Sequence, residues 1–326
     1  MKTSRSNALS SSRQGSAPPS RAFTLLELLV VLAAVAILGC LALGAASTSR
    51  TASQALQCVQ NGNQMIKAWT LYAVDNQGLL APNVDDGHYG NWLGGTMSGS
   101  GAYNDPTNYG LLNNTYAPAA AAGYKGSGPS AIGSYLKDYK FAKCPADPSN
   151  YGGGGVDPSG AQTNESWIPR VRSYSMSQAV GTQSNNKLPV TGPWLTGSYG
   201  ANNPAVNYNT YGKLSPWKNP GPSNTAVILD EDPYSINDAA CATDESLPDE
   251  LIDWPASFHL KACGFAFADG HSIIKHWVDP RTFAIWYTHN NGPQSQPNNP
   301  DIEWLRLHTS GNASGTPLPL STTPSP

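Results

Sequence analysis

No charged residue occurs between positions 28 and 46. About 19 residues at 1.5 Å rise come close to the thickness of a bilayer core, so the run predicts a transmembrane helix over residues 23–46. Glu27 stands at its head. A carboxylate there costs up to roughly 2.5 to 3.5 kcal/mol on insertion scales and marks function, so a compensating group is expected. Upstream lie four bases and no acid: Lys2, Arg5, Arg13 and Arg21. Basic flanks stay cytoplasmic, which predicts a single pass through an inner membrane with the C-terminal domain in the periplasm. A secretory signal peptide fits poorly, because its apolar region spans about 7 to 15 residues, ends in a small-residue cleavage site and has no acid at its start. Cleavage before Phe23 fits better. The new α-amine would lie four residues from Glu27 on one helix face, able to neutralise it within the chain or in a neighbouring copy.

The segment Arg21-Ala22-Phe23-Thr24-Leu25-Leu26-Glu27, with its basic leader and apolar run, resembles the N-terminus of type IV pilins and type II secretion pseudopilins. The resemblance implies that Ala22 ends a leader of residues 1–22, that Phe23 becomes the N-methylated first residue, and that Glu27 and Thr24 serve assembly. The partners it implies are a prepilin peptidase, other pilin-like subunits, an inner-membrane assembly machinery and the lipid bilayer. Ala22 departs from the family pattern, which has Gly there; Ala is the next smallest side chain.

The 326 residues leave room for one large or two small domains beyond the helix, and 32 Gly with 27 Pro predict many turns and long loops. Removing the leader's four bases from 19 leaves 15 against 22 acids, a formal balance of −7. That argues against nucleic acid as a partner. Cys58, Cys144, Cys241 and Cys263 allow three disulfide connectivities in an oxidising compartment, of which Cys241 with Cys263 is preferred because it would tie down a Pro- and Asp-rich loop. With no Cys-x-x-Cys and no local Cys/His cluster, no zinc site is expected.

Apolar positions at Leu56, Val59, Ile66, Trp69 and Ala73 extend the helix as an amphipathic stalk over residues 47–76, ending near Asp75 with Gly78 as cap. An extracytoplasmic domain over residues 77–308 follows, then a disordered Gly/Ser/Thr/Pro tail over 309–326. The apolar run at 225–230 reads as a buried strand. The acids beyond it, Asp230, Glu231, Asp232, Asp238, Asp244 and Glu245, read as a solvated loop. A calcium site there is the competing reading, although the alternation of oxygen ligands is missing. Asp279-Pro280 predicts a short helix to Ile285, and residues 301–307 one more short element.

Asp269-Gly270 between two apolar runs predicts a two-residue hairpin turn that sets Phe265 opposite Ile274. His259 precedes Asp269 by ten positions. This His-x9-Asp-Gly pattern resembles the C-terminal signature of a large bacterial family of pilin-like proteins. Those proteins share three further landmarks with this chain: the Phe-Thr-Leu-Leu-Glu start, a helix end matching Tyr72, Asp75, Asn76 and Gly78, and a Cys-Pro-x-Asp element matching Cys144, Pro145 and Asp147.

The expected fold is α+β: a long N-terminal helix, transmembrane then amphipathic, packed on an antiparallel sheet with long irregular loops. The expected function is a pilin-like structural subunit of a type IV pilus or type II secretion pseudopilus-like filament. No catalytic residue, cofactor or metal is expected. His259, Asp269 and Asp230 do not compose a nucleophile-base-orienter set, and neither a Gly-x-Ser-x-Gly elbow nor a phosphate loop occurs. The alternative is an anchored module whose loop aromatics, Trp194, Tyr199, Tyr208 and Tyr211, stack on polysaccharide without polymerising.

Overall fold

The structure, a computed structural model, describes residues 23–84, 91–94, 130–151, 155–156, 162–163, 168–183, 188–197, 207–233, 235–236, 238–283 and 294–321. The chain divides into two compact units, Met1–Ser49 and Arg50–Pro326, and helix α1 (Leu25–Asp75) begins in the first and ends in the second.

In the first unit the described side chains from Phe23 onward are exposed and mostly apolar, Phe23 by 77% and Leu25 by 81%. No helix among the described residues is long and apolar enough to cross a membrane. This overturns the expected transmembrane helix and the single-pass inner-membrane placement that depended on it. Ala22 lies outside the described residues.

In the second unit α1 is amphipathic. Cys58, Met65, Ile66, Trp69, Tyr72 and Ala73 are buried at helical spacing, while Leu56, expected on this stripe, is exposed. Full burial of side chains the size of Met65 or Ile66 contributes about 1.5 to 3 kcal/mol each, enough to fix this face against the domain. The helix stops where the sequence predicts, at Asp75, but the cap differs in detail. Gln77 takes the left-handed conformation (φ 59°), and the Gly78 amide donates to the Ala73 carbonyl at 2.7 Å, the long bond of a Schellman motif.

The main sheet has five strands: β5 (Tyr174–Ser177), β6 (Ala226–Asp230), β7 (Ala240–Cys241), β9 (Ala262–Phe267) and β10 (Ser272–His276), ordered β10-β9-β6-β5-β7. All neighbours are antiparallel except β5 and β7, which run parallel, so the sheet is mixed where a purely antiparallel one was expected. Short antiparallel pairs join β1 (Asn150–Tyr151) with β4 (Ile168–Pro169), β2 (Gly155–Val156) with β3 (Gln162–Thr163), and β8 (Glu250–Leu251) with β11 (Gln294–Ser295).

Every residue of β6 and β9 is buried, because both faces of the sheet are covered. Met176, Ile228 and Ala266 pack in one cluster with the buried face of α1. Leu229, Phe265 and Phe267 face the other way, toward Ile302 and Leu305 of α2 (Pro300–Thr309). Helix α2 is the short element anticipated near residues 301–307. The Asn299 side chain caps it by accepting from the Asp301 amide at 2.8 Å.

Several expectations need correction. The β9–β10 turn has three loop residues: the Gly270 amide donates to the Phe267 carbonyl, Gly270 sits at φ 98°, and Phe267 closes on His271. This is a turn followed by a glycine bulge, and it moves the register by one, so that Phe265 faces Ile273 and Gly264 faces Ile274. Cys241 and Cys263 are both free. They lie on β7 and β9, separated by β6 and β5; three strand spacings are about 14 Å, beyond the roughly 7 Å a disulfide can span between Cα atoms. Asp279-Pro280 opens a turn instead of a helix, with Asp279 accepting from the Arg281 amide. The expected tail is tied down at its start, where Ser310 and Gly311 are buried and Ala313 donates to the Asn207 carbonyl.

Gln77→Gly should stabilise the domain by about 1 kcal/mol, since glycine removes the side-chain penalty of the left-handed cap. Urea denaturation followed by circular dichroism would show this as a higher midpoint at unchanged slope.

Candidate functional site

The first expected site is the head of α1. Thr24 accepts from the Glu27 amide through Oγ1 at 3.2 Å, and the Glu27 carboxylate accepts from the Thr24 amide at 2.9 Å and its hydroxyl at 2.8 Å. This reciprocal pair is a capping box, so the acid has a local role that the apolar context concealed. The Thr24 bonds hold the carboxyl below the usual glutamate range. Phe23 beside it is exposed.

The second site lies wholly in the domain. Cys58 on α1, Cys144 of the Cys-Pro-x-Asp element, Asp230 at the end of β6 and His259 before β9 are all buried, and one ligating atom from each lies within 4.8 Å of the others. The Cys58 thiol donates to Asp230 Oδ2 at 3.0 Å and meets the Tyr174 hydroxyl at 3.1 Å; Cys144 Sγ is 3.1 Å from His259 Nε2. Ser173 links two members, donating from Oγ to Asp230 Oδ1 at 2.8 Å while accepting from the Cys144 amide at 2.8 Å. The hydrogen bond from Cys144 brings the Cys58 thiol down to about 5, whereas burial pushes the Cys144 thiol and the Asp230 carboxyl up.

Local chain chemistry presents each group. Asp147 accepts from the Ser149 amide and pairs with Lys143 at 3.6 Å, shaping the turn that carries Cys144. Leu260 and Lys261, both non-glycine, take positive φ (54° and 66°) and turn the chain tightly between His259 and β9. Gly264 opens the floor, since a Cβ there would stand 2.5 Å from the Cys58 sulfur. The two ends of the His-x9-Asp-Gly pattern thus do different things. His259 joins the buried cluster, while Asp269 and Gly270 shape an exposed turn in which Asp269 binds His271 Nδ1 at 2.6 Å.

The acidic stretch is not a solvated loop. Asp230, Glu231, Asp238, Asp244 and Glu245 are buried, and they face protein groups: Asp238 Oδ1 accepts from the Ala240 amide, Asp244 Oδ1 from Ser246, and Glu245 lies 4.0 Å from Arg306, itself buried. Burial raises the Glu245 carboxyl while Arg306 opposes the shift. Of the loop aromatics, Tyr211 is buried, stacks on Trp217 at 4.2 Å and donates to the Lys218 carbonyl, so it pins its loop to the core. Trp194 and Tyr208 are half-buried, and Tyr199 lies outside the described residues.

No protein-family model, curated protein or solved structure matches the chain.

Sequence reasoning kept the four cluster residues apart because they come from four distant segments and no two share a ligand spacing. A signal was nonetheless present in two of them. Cys144 and His259 each sit in a short sequence pattern, Cys-Pro-x-Asp and His-x9-Asp-Gly.

Arg306→Met should cost about 3 to 5 kcal/mol, because it strands a buried carboxylate, and adding Glu245→Gln should recover most of the loss. The sign with pH follows from Glu245, whose folded carboxyl is raised. Arg306 lowers that carboxyl against the raising effect of burial, so removing Arg306 raises it further, and the stability given up as pH climbs above the ordinary value near 4.5 is larger in the single variant than in wild type. The deficit against wild type should therefore widen from pH 4 to pH 8 in denaturation curves, and narrow in the double variant.

Proposed function

We propose that the chain is a pilin-like structural subunit, cut before Phe23 by a prepilin peptidase, methylated there, and assembled into a filament through the N-terminal part of α1. The observation that carries this reading is the row of exposed apolar side chains at the start of α1, including Phe23, Leu25, Leu26, Leu29, Leu32 and Val35, headed by Glu27. Contiguous apolar surface of this kind marks an interaction face. Copies of the same helix, packed side by side, would cover one another's apolar rows, and the Glu27 carboxylate of one would meet the freed Phe23 amine of the next. Burying that charge is tolerable only if it is paired.

The capping box supplies a way to separate the two roles of Glu27, because glutamine can serve as the third helical residue of such a box but carries no charge. Glu27→Gln should leave the helix content unchanged by circular dichroism while reducing the protein in sheared surface filaments at least about tenfold, the loss of one buried ion pair. Mass spectrometry of wild-type filament protein should find a methylated N-terminus at Phe23. A Gln variant present at wild-type levels in the sheared fraction would overturn the assembly reading.

A further inference from the structure

We propose that Cys58, Cys144, Asp230 and His259 bind a divalent thiophilic cation, zinc above all, in a closed four-ligand site that ties α1 to the sheet. The site does not depend on filament assembly. Two sulfurs, one imidazole nitrogen and one carboxylate oxygen suit zinc, whereas calcium and magnesium call for oxygen throughout. Around a tetrahedral zinc, ligand atoms at about 2.0 to 2.3 Å from the metal stand about 3.3 to 3.8 Å apart. The observed upper bound of 4.8 Å is within a small side-chain adjustment of that arrangement.

The surroundings are those of a built site. All four residues are at most 2% exposed. Ser173 occupies Asp230 Oδ1 and so leaves Oδ2 facing the cluster, and Tyr174 fixes Cys58 from the side. Such outer partners orient ligands and tune affinity. Gly264 keeps the floor clear of a side chain. In the interior the two sulfurs, the imidazole and the carboxylate converge on one another with only protons shared between them. A dication would replace the protons held among the two sulfurs and the Asp230 carboxyl, which pass to solvent, and satisfy all four groups at once. Four protein ligands leave no coordination position for a substrate, so the role is structural: the cation would crosslink α1, the Cys144 turn, β6 and the chain before β9.

The test uses the full chain purified under reducing conditions. Its metal content, read by mass spectrometry, should be about one zinc per chain. Chelator-stripped protein titrated with Co2+ should develop thiolate-to-cobalt charge transfer in the near ultraviolet and tetrahedral bands in the visible, both lost on adding Zn2+. Cys58→Ser with Cys144→Ser should abolish the charge transfer, and Ser173→Ala should weaken Zn2+ binding about tenfold while the ligands remain. If the cysteine variant fails to fold, the wild-type titration and Ser173→Ala still decide. Stripped, folded wild type that takes up no Co2+ would overturn the proposal. So would a Cys58–Cys144 disulfide peptide recovered from freshly isolated protein, or a cobalt spectrum that survives the double cysteine substitution.

Discussion

Where the hairpin of β9 and β10 passes under α1, two glycines let the backbones close on each other. Gly62 on the helix faces Ser272 and Ala266, and Gly264 on β9 faces Cys58 and Asp230. A methyl group at Gly264 would collide with the Cys58 sulfur, so the separation of helix and sheet is set at this crossing. The apolar residues that follow along α1, Met65, Ile66 and Trp69, then reach their partners in the same cluster, and Met176, Ile228 and Ala266 form the surface they meet. Because the helix covers one face of the sheet and α2 covers the other, strands that would otherwise alternate between core and solvent are buried along their whole length.

That burial explains how acids could be recruited into the interior. A carboxylate in a covered interior must find donors or cations within the protein. Asp230 finds Ser173 and Cys58, Asp238 finds a backbone amide, and Glu245 faces Arg306. In sequence these residues look like a hydrophilic stretch after an apolar strand, because composition reports the residue and not the layer that closes over it.

The legible parts of the fold were those with a local period or a turn residue. The helix end at Asp75, the strand at 226–230 and the hairpin around Gly270 follow from spacing and turn residues, and a short element near 301–307 was anticipated without its type. What local reading missed depended on long-range closure. The hairpin register shifted by one because Gly270 forms a bulge rather than occupying a two-residue turn. The pairing of Cys241 with Cys263 failed because two strands intervene. The head of α1 carried an acid whose capping partner, Thr24, was visible in the sequence as Thr-x-x-Glu, yet its apolar context pointed only to assembly. The convergence of Cys58, Cys144, Asp230 and His259 had no sequence spacing to reveal it, since each ligand is delivered by a different element.

The account rests on the second half of α1 and the central strands forming one cooperative unit. Native-state hydrogen exchange tests this directly. Amides of Ile66, Trp69 and Tyr72 should exchange with the same free energy as those of Ile228 and Phe265, equal to that of global unfolding, and should shift together when denaturant is added. Helix amides that exchange at a markedly lower free energy, while the strands remain protected, would show that the sheet stands without the helix and would contradict the account.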